Sequence, residues 1–189
     1  MDDGLATGYA VCVFCASRDG AAPAYREAAV AFGRELARRE ITLVYGGGRV
    51  GLMGALSDAA LGAGGRVVGV IPDFLRDREV AHTGLSELVM VDDLFERKSV
   101  MIERADAFVA LPGGIGTFDE ILEVIAWRQL RQLRQPIGLL DVDGYFEPWQ
   151  ALLRHCAREG FLAAGEVSHI IVEADATTLL DALLEADPA

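Results

Sequence analysis

Two glycine-rich stretches, with a few charged residues between and beside them, hold the residue types in this chain that can do chemistry. The first is Gly46-Gly47-Gly48-Arg49-Val50-Gly51-Leu52-Met53-Gly54 and the second is Leu111-Pro112-Gly113-Gly114-Ile115-Gly116-Thr117. Each follows an apolar run that reads as a strand and opens a stretch that reads as a helix. Glycine lets a backbone approach an anion closely and take positive φ, and a helix N-terminus presents unpaired N–H groups at the positive end of its dipole. One such loop is equally a tight turn that packs a helix on a sheet. Two that converge at strand ends would enclose a single anion. Neither loop contains Gly-Lys-Ser/Thr, so a Walker-type triphosphate site is not supported.

The charged residues have two readings each. Thr117-Phe118-Asp119-Glu120 fits a capping box, in which Thr117 caps the helix and Glu120 reaches back to the cap's own N–H. A carboxylate at the mouth of a glycine loop can instead activate water or stabilise an oxocarbenium-like centre on a bound sugar. Glu120 and Glu123 lie three apart on a stretch otherwise rich in Ile121, Leu122, Val124, Ile125, Trp127 and Leu130. In Leu94-Phe95-Glu96-Arg97-Lys98, Arg97 reads either as half of an exposed i,i+4 pair with Asp93 or as a rigid fork for phosphate or hydroxyl groups. The order of the strands decides between them.

Alternating strand and helix patterns must position these residues. Strands are predicted at Ala10–Ala16, Thr42–Tyr45, Arg66–Ile71, Glu87–Val91, Ala107–Ala110, Pro136–Leu140 and Ile170–Val172. Helices are predicted at Pro23–Arg39, Gly51–Ala63, Asp93–Arg104, Thr117–Arg131, Tyr145–Glu159 and Asp175–Glu185. The continuously apolar runs Val11-Cys12-Val13-Phe14 and Phe108-Val109-Ala110-Leu111 mark central strands covered on both faces. The expected fold is α/β, a Rossmann-like doubly wound sheet of about seven mainly parallel strands with helices on both faces, forming one domain over residues 1–189. The longest irregular stretch, Pro72 to Ser86, carries Asp73, Arg76, Asp77, Arg78 and Glu79 and reads as a lid, a binding loop or a solvated connection.

Bulk composition narrows the partners. A net charge of -12 repels a polyanion at long range, so a phosphate site must be a local pocket, and nucleic acid is not an expected partner. No apolar run approaches the roughly 20 residues that span a bilayer, and the start Met1-Asp2-Asp3-Gly4 lacks the basic residues of a signal peptide; the expectation is a cytoplasmic protein without a membrane partner. Cys12 and Cys15 form C-x-x-C within a strand, where their odd spacing sends them to opposite faces, so they and Cys156 read as reduced thiols. His82, His155 and His169 show no metal-ligand spacing, and no metal is expected.

Taken together, Gly46-Gly47-Gly48-x-x-Gly51-Leu52-Met53-Gly54, then Glu96-Arg97-Lys98, then Pro112-Gly113-Gly114-x-Gly116-Thr117-x-x-Glu120 resemble the LONELY GUY family, long labelled as lysine decarboxylases. The similarity runs from Val11 to about Leu183. It implies a phosphoribohydrolase that cleaves the N-glycosidic bond of cytokinin riboside 5′-monophosphates, and often of AMP, with no cofactor. It makes Glu120 the catalytic carboxylate and Arg97 its basic partner, with Lys98 close by, and assigns the glycine motifs, Met53, Thr117 and Ser17 to phosphate and ribose. It further implies a homodimer, in some members a higher assembly, with the site near the subunit interface. A helix apolar around most of its circumference, as Glu120 to Leu130 is, agrees with cover on two sides. Two positions depart from the family pattern: Leu94-Phe95 stands where many members have Met-His, and Ala16-Ser17-Arg18 where many have Gly-Ser-Ser.

Three rival readings remain. A pyridoxal-phosphate decarboxylase would rest on Lys98, the only lysine of the chain. A dinucleotide oxidoreductase finds its fingerprint in Gly46-x-Gly48-x-x-Gly51 and a ribose acid in Asp73, but leaves the second glycine loop without a role. A non-catalytic nucleotide or molybdenum-cofactor carrier of the same fold shares the Pro-Gly-Gly-x-Gly-Thr loop; the presence of both Arg97 and Glu120 favours the enzyme.

Overall fold

The computed structural model describes residues 8–76, 80–163, 165 and 168–186. The start of the chain and Asp77, Arg78 and Glu79 of the long connection lie outside the described residues. Seven strands, β1 (Ala10–Phe14), β2 (Thr42–Tyr45), β3 (Val67–Pro72), β4 (Glu87–Val91), β5 (Ala107–Ala110), β6 (Ile137–Leu140) and β7 (Ile170–Glu173), form one sheet. Its order is β4-β3-β2-β1-β5-β6-β7 and every adjacent pair is parallel. The α/β doubly wound architecture expected from the strand and helix pattern is therefore present. β1 and β5, the two continuously apolar runs, are neighbours at the centre and are buried along their whole length.

The described residues form six α-helices, α1 (Pro23–Arg38), α2 (Gly51–Gly62), α3 (Leu94–Glu103), α4 (Ile115–Gln129) and α5 (Glu147–Arg158) between strands and α6 (Ala176–Glu185) after β7. A parallel crossover is right-handed, so the direction of travel across the sheet selects the face on which its helix lies. The path β1 to β2 to β3 steps one way, and α1 and α2 pack on one face with α6 around Phe32, Leu36, Leu43, Leu56 and Leu180. The path from β4 to β5 reverses direction, so α3, α4 and α5 lie on the other face around Phe14, Met101, Phe108, Ile121 and Phe146. The reversal falls between β1 and β5. Loops leaving those two strands turn to opposite faces and open a crevice at their carboxyl ends, the usual ligand position in such sheets.

Most boundaries differ from the sequence reading by no more than two residues, and one of these shifts is consequential. The predicted start of the fourth helix at Thr117 is corrected to Ile115, with Gly114 as an N-cap that makes no side-chain hydrogen bond. The Phe118 amide donates to the Gly114 carbonyl at 3.0 Å, so the first helical turn forms over Ile115-Gly116-Thr117 in spite of the glycine there. The capping box at Thr117 and Glu120 is therefore absent. A comparable device exists on α3 instead: Asp93 accepts from the amides of Phe95 (2.8 Å) and Glu96 (2.9 Å), and Glu96 accepts from the Asp92 amide (2.8 Å). No described helix is long and apolar enough to cross a membrane.

Candidate active site

The crevice at the β1–β5 switch holds a cavity of about 590 Å³, within the ordinary range for small-molecule sites. From the residues singled out in the sequence, it brings together Ser17, Gly46, Met53, Arg97, Pro112, Gly113, Gly114, Gly116, Thr117 and Glu120. Gly47, Gly48, Gly51, Gly54 and Lys98 are not in its wall. Each of these absences has a physical cause in the packing.

The first glycine loop is occupied by the protein itself. A Cβ on Gly46 would lie 1.9 Å from a terminal nitrogen of Arg97, one on Gly54 would lie 2.2 Å from the Arg49 carbonyl oxygen, and one on Gly51, whose φ is 57°, would lie 2.2 Å from the Arg18 nitrogen. Gly47 takes φ 74° and rests on β3, 3.1 Å from Ile71 by the same measure. Gly48 is held from both sides: its carbonyl accepts from the buried Tyr45 hydroxyl at 3.1 Å, and it bridges to Ala81 of the long connection. The Pro72 to Ser86 stretch backs this loop through His82 N–H to the Gly47 carbonyl (2.9 Å), and none of its described residues lines the cavity. The His82 ring in turn meets Asp58 of α2 at 2.9 Å.

Gly46 is small because Arg97 needs its space. The guanidinium donates to the carbonyls of Gly46 (2.8 Å), just past β2, and Val70 (3.2 Å), within β3, and the residue is 7% exposed. The surface pair with Asp93 does not form in this arrangement, because Asp93 caps α3 and Arg97 turns inward. Lys98, one position on, points to the α3–α4 contact, where it pairs with Asp119 (3.1 Å) and Glu123 (2.5 Å). Burial works against its charge, but those two carboxylates outweigh it and hold the ammonium above its ordinary range.

The second loop is built the other way round. Its carbonyls are taken: Pro112 accepts from the Ala16 amide (3.3 Å), Gly113 from the Tyr145 hydroxyl and Gly114 from the Phe118 amide. Its donors are not, for the successive amides of Gly113, Gly114, Ile115, Gly116 and Thr117 have no partner among the described residues. A Cβ on Gly114 or on Gly116 would meet nothing within 4 Å. Thr117 is 3% exposed, yet its hydroxyl has no hydrogen-bond partner among the described residues and it lines the cavity. Gly113 is the exception, since a Cβ there would fall 2.0 Å from that hydroxyl. An unpaired hydroxyl on the cavity wall, beside a row of unpaired amides at a helix N-terminus, is an arrangement suited to an anion.

Glu120 stands on the second turn of α4, half-buried, on the same cavity wall as Arg97. Beneath them Cys12 is fully buried. Burial pushes its thiol well above the ordinary range, Glu120 pushes it further up, and Arg97 pulls it back, so both charges bear on one point of β1. Cys12 and Cys15 fall on opposite faces, Cys12 with the α3–α5 core and Cys15 against the α1–α2 core, as their spacing predicts. Among the described residues there is no cluster of histidine, cysteine and carboxylate side chains that would hold a metal ion. Asp73, the ribose acid of the dinucleotide reading, is paired with Arg76 at 3.3 Å away from the cavity. The glycine fingerprint of that reading follows β2, not the central first strand.

Sequence reasoning missed Tyr25, Tyr145, Cys15 and Ile115 as wall residues. Tyr25 and Tyr145 meet edge-on with ring centroids 5.5 Å apart. Tyr145 reaches the site because β6 ends in a short turn, with Asp143 at φ 52° and Gly144 at φ 75°, that brings it under the second glycine loop. The signal available was Asp143-Gly144 before an aromatic residue, which marks a turn and carries no chemistry.

A doubly wound sheet with unpaired amides at a helix N-terminus, a buried arginine and a carboxylate at its switch point has the form of a nucleotide-binding α/β enzyme. Residues 53–183 match the family model described as possible lysine decarboxylase. A cytokinin riboside 5′-monophosphate phosphoribohydrolase of Arabidopsis thaliana is 46% identical over 178 residues, covering 94% of this chain and 82% of that protein. A second from the same plant is 44% identical over 175 residues, covering 93% and 82%. The chain belongs to this family, the LONELY GUY proteins. Among solved structures, the X-ray structure of the protein TM1055 superposes with a TM-score of 0.72 at 26% identity, covering 94% of this chain and 99% of that one. The molybdenum cofactor binding protein of Rippkaea orientalis reaches 0.71 at 16% identity, covering 95% and 97%, which shows a shared fold alone.

Proposed function

We propose that the chain hydrolyses the N-glycosidic bond of a nucleoside 5′-monophosphate, a cytokinin riboside 5′-monophosphate or AMP, to the free base and ribose 5-phosphate. The observation that carries this reading is the meeting of Arg97 and Glu120, from different helices, in one cavity with a row of unpaired amides and the Thr117 hydroxyl. The names of the Arabidopsis relatives point to the same reaction.

The 5′-phosphate docks at the Gly113–Thr117 amides, where the helix dipole and unpaired donors favour an anion. This sets the ribose between that rim and Glu120. As the bond from C1′ to the base nitrogen breaks, positive charge develops on the sugar, and the carboxylate stabilises it and takes a proton from the attacking water. The new C1′–O bond completes ribose 5-phosphate, and the proton held on Glu120 passes to the departing base nitrogen, which frees the base and returns the carboxylate to its ionised form. Arg97, fixed by two carbonyls, supplies a positive charge that does not reorganise during the reaction. Ser17 and Met53 line the cavity beside this path. Gly47, Gly48, Gly51 and Gly54 serve by holding the seats of Arg97 and of the β1–α1 loop, and Lys98 by tying α3 to α4.

No cofactor enters this chemistry, and the protein acts in the cytoplasm. The active form is a homodimer: Phe95 on α3 and Ile115, Leu122 and Leu130 along α4 are exposed apolar side chains, and a second copy is the natural cover. The mass in solution tests that assignment. For the reaction, E120Q is expected to bind AMP nearly as wild type does while release of adenine falls by about 100- to 10,000-fold, the range for losing a general acid or base. Unchanged turnover in E120Q removes Glu120 from the mechanism. Failure of the wild type to release base from any nucleoside monophosphate in a panel removes the reaction.

A further inference from the structure

Two cations line the cavity, and they stand in opposite states. Arg97 is buried and has committed donors to the Gly46 and Val70 carbonyls. Arg18, in the loop between β1 and α1, is exposed and has no hydrogen-bond or ion-pair partner among the described residues. The adjacent acid does not neutralise it, because Asp19 is engaged by Arg26 at 2.7 Å.

Although its side chain is open to solvent, the backbone of Arg18 is fastened on both sides. Gly51 opens α2 directly against it, so close that a Cβ there would fall 2.6 Å from the Arg18 Cα. Two residues earlier, the Ala16 carbonyl accepts from the Met53 amide (3.2 Å) and the Ala16 amide donates to the Pro112 carbonyl (3.3 Å). The loop that carries Arg18 is thus clamped between the two glycine loops, beside the unpaired amides. A chain of net charge -12 repels an anionic ligand at long range, so affinity for a phosphate must come from charge placed at the cavity itself.

We propose that Arg18 makes this site demand a 5′-phosphate: its guanidinium takes the phosphate from the β1–α1 side while the Gly113–Thr117 amides take it from the α4 side. It is a specificity-determining residue, and the assignment rests on the reading of the ligand as a nucleoside 5′-monophosphate. The planar fork suits bidentate phosphate binding, and a guanidinium with no other hydrogen bond or ion pair among the described residues is available for it.

The test compares binding of AMP and of adenosine to the wild type, R18A and R18K by titration calorimetry. R18A is expected to lose about 10- to 100-fold in affinity for AMP, the range for a hydrogen bond to a charged group, with adenosine unchanged. R18K should recover part of the loss, since the ammonium keeps the charge without the fork, and the salt dependence of AMP binding should be shallower in R18A. An equal change for AMP and adenosine, no change for either, or a wild type with no preference for AMP overturns the proposal. Release of adenine is scored separately: a wild type that prefers AMP through Arg18 yet frees no base leaves this role standing and removes the hydrolase reading.

Discussion

The two glycine loops look alike as sequence and do opposite things as structure. In the first, a side chain added at Gly46, Gly51 or Gly54 would strike protein atoms at 1.9 to 2.2 Å. In the second, Gly114 and Gly116 face nothing within 4 Å, and Gly113 alone is closed off, by Thr117. Glycine in the first loop is a socket for other parts of the chain: a guanidinium, a carbonyl, the backbone that carries Arg18. Glycine in the second leaves a bare surface. The backbone accounting separates them as well, since loop 46–48 is bridged by the 80–82 segment while the amides of residues 113–117 remain unpaired. A glycine-rich motif thus reports close approach, and only the neighbours say whether protein or ligand makes it.

That contrast can be broken most forcefully at Gly46. In G46A the new methyl would occupy the place of an Arg97 nitrogen, so the guanidinium must leave the Gly46 and Val70 carbonyls. Turnover should fall by at least about 100-fold, as expected when a charge is misplaced by an ångström or so. Unfolding in denaturant should show a loss of about 1–3 kcal/mol from overpacking. Retained activity would mean that the seat of Arg97 is not what the first loop provides. A smaller effect is expected for Y145F, which deletes the hydroxyl that holds the Gly113 carbonyl. Stability should drop by about 0.5–1.5 kcal/mol and KM for AMP should rise with kcat near wild type, because the rim loses its fixed orientation and the charges of the reaction are untouched.

How much of this was legible in the sequence depends on distance along the chain. The seven strands and six helices could be read because apolar periodicity is local, and Thr42–Tyr45, Glu87–Val91 and Ala107–Ala110 match residue for residue. The convergence of residues from 46 to 120 followed from strand order, which the alternation of strands and helices implies through the handedness of crossovers. The start of α4 was hidden because Gly113-Gly114-x-Gly116 is composed like a loop; only the Phe118–Gly114 hydrogen bond shows that it has begun to wind. Arg97 was ambiguous for a different reason. Its spacing from Asp93 fits a surface pair, and nothing local says that a glycine 51 positions away leaves room for its head group. Tyr145 was invisible because a turn, and no chemical motif, delivers it.

The smallest expected effect on stability is the sharpest test of the contrast. Gly114 has φ -100°, which any residue adopts, and a methyl there meets no protein atom. G114A should therefore unfold within about 1 kcal/mol of wild type, the cost of an alanine at an N-cap. The methyl nevertheless stands over the amides assigned to the phosphate, so KM for AMP should rise while binding of adenosine changes little. If G114A instead destabilises the protein as G46A does, the second loop is a socket like the first. If it leaves AMP binding untouched as well, the open face of α4 is not where the phosphate sits, and the unpaired amides would then need some other ligand to account for them.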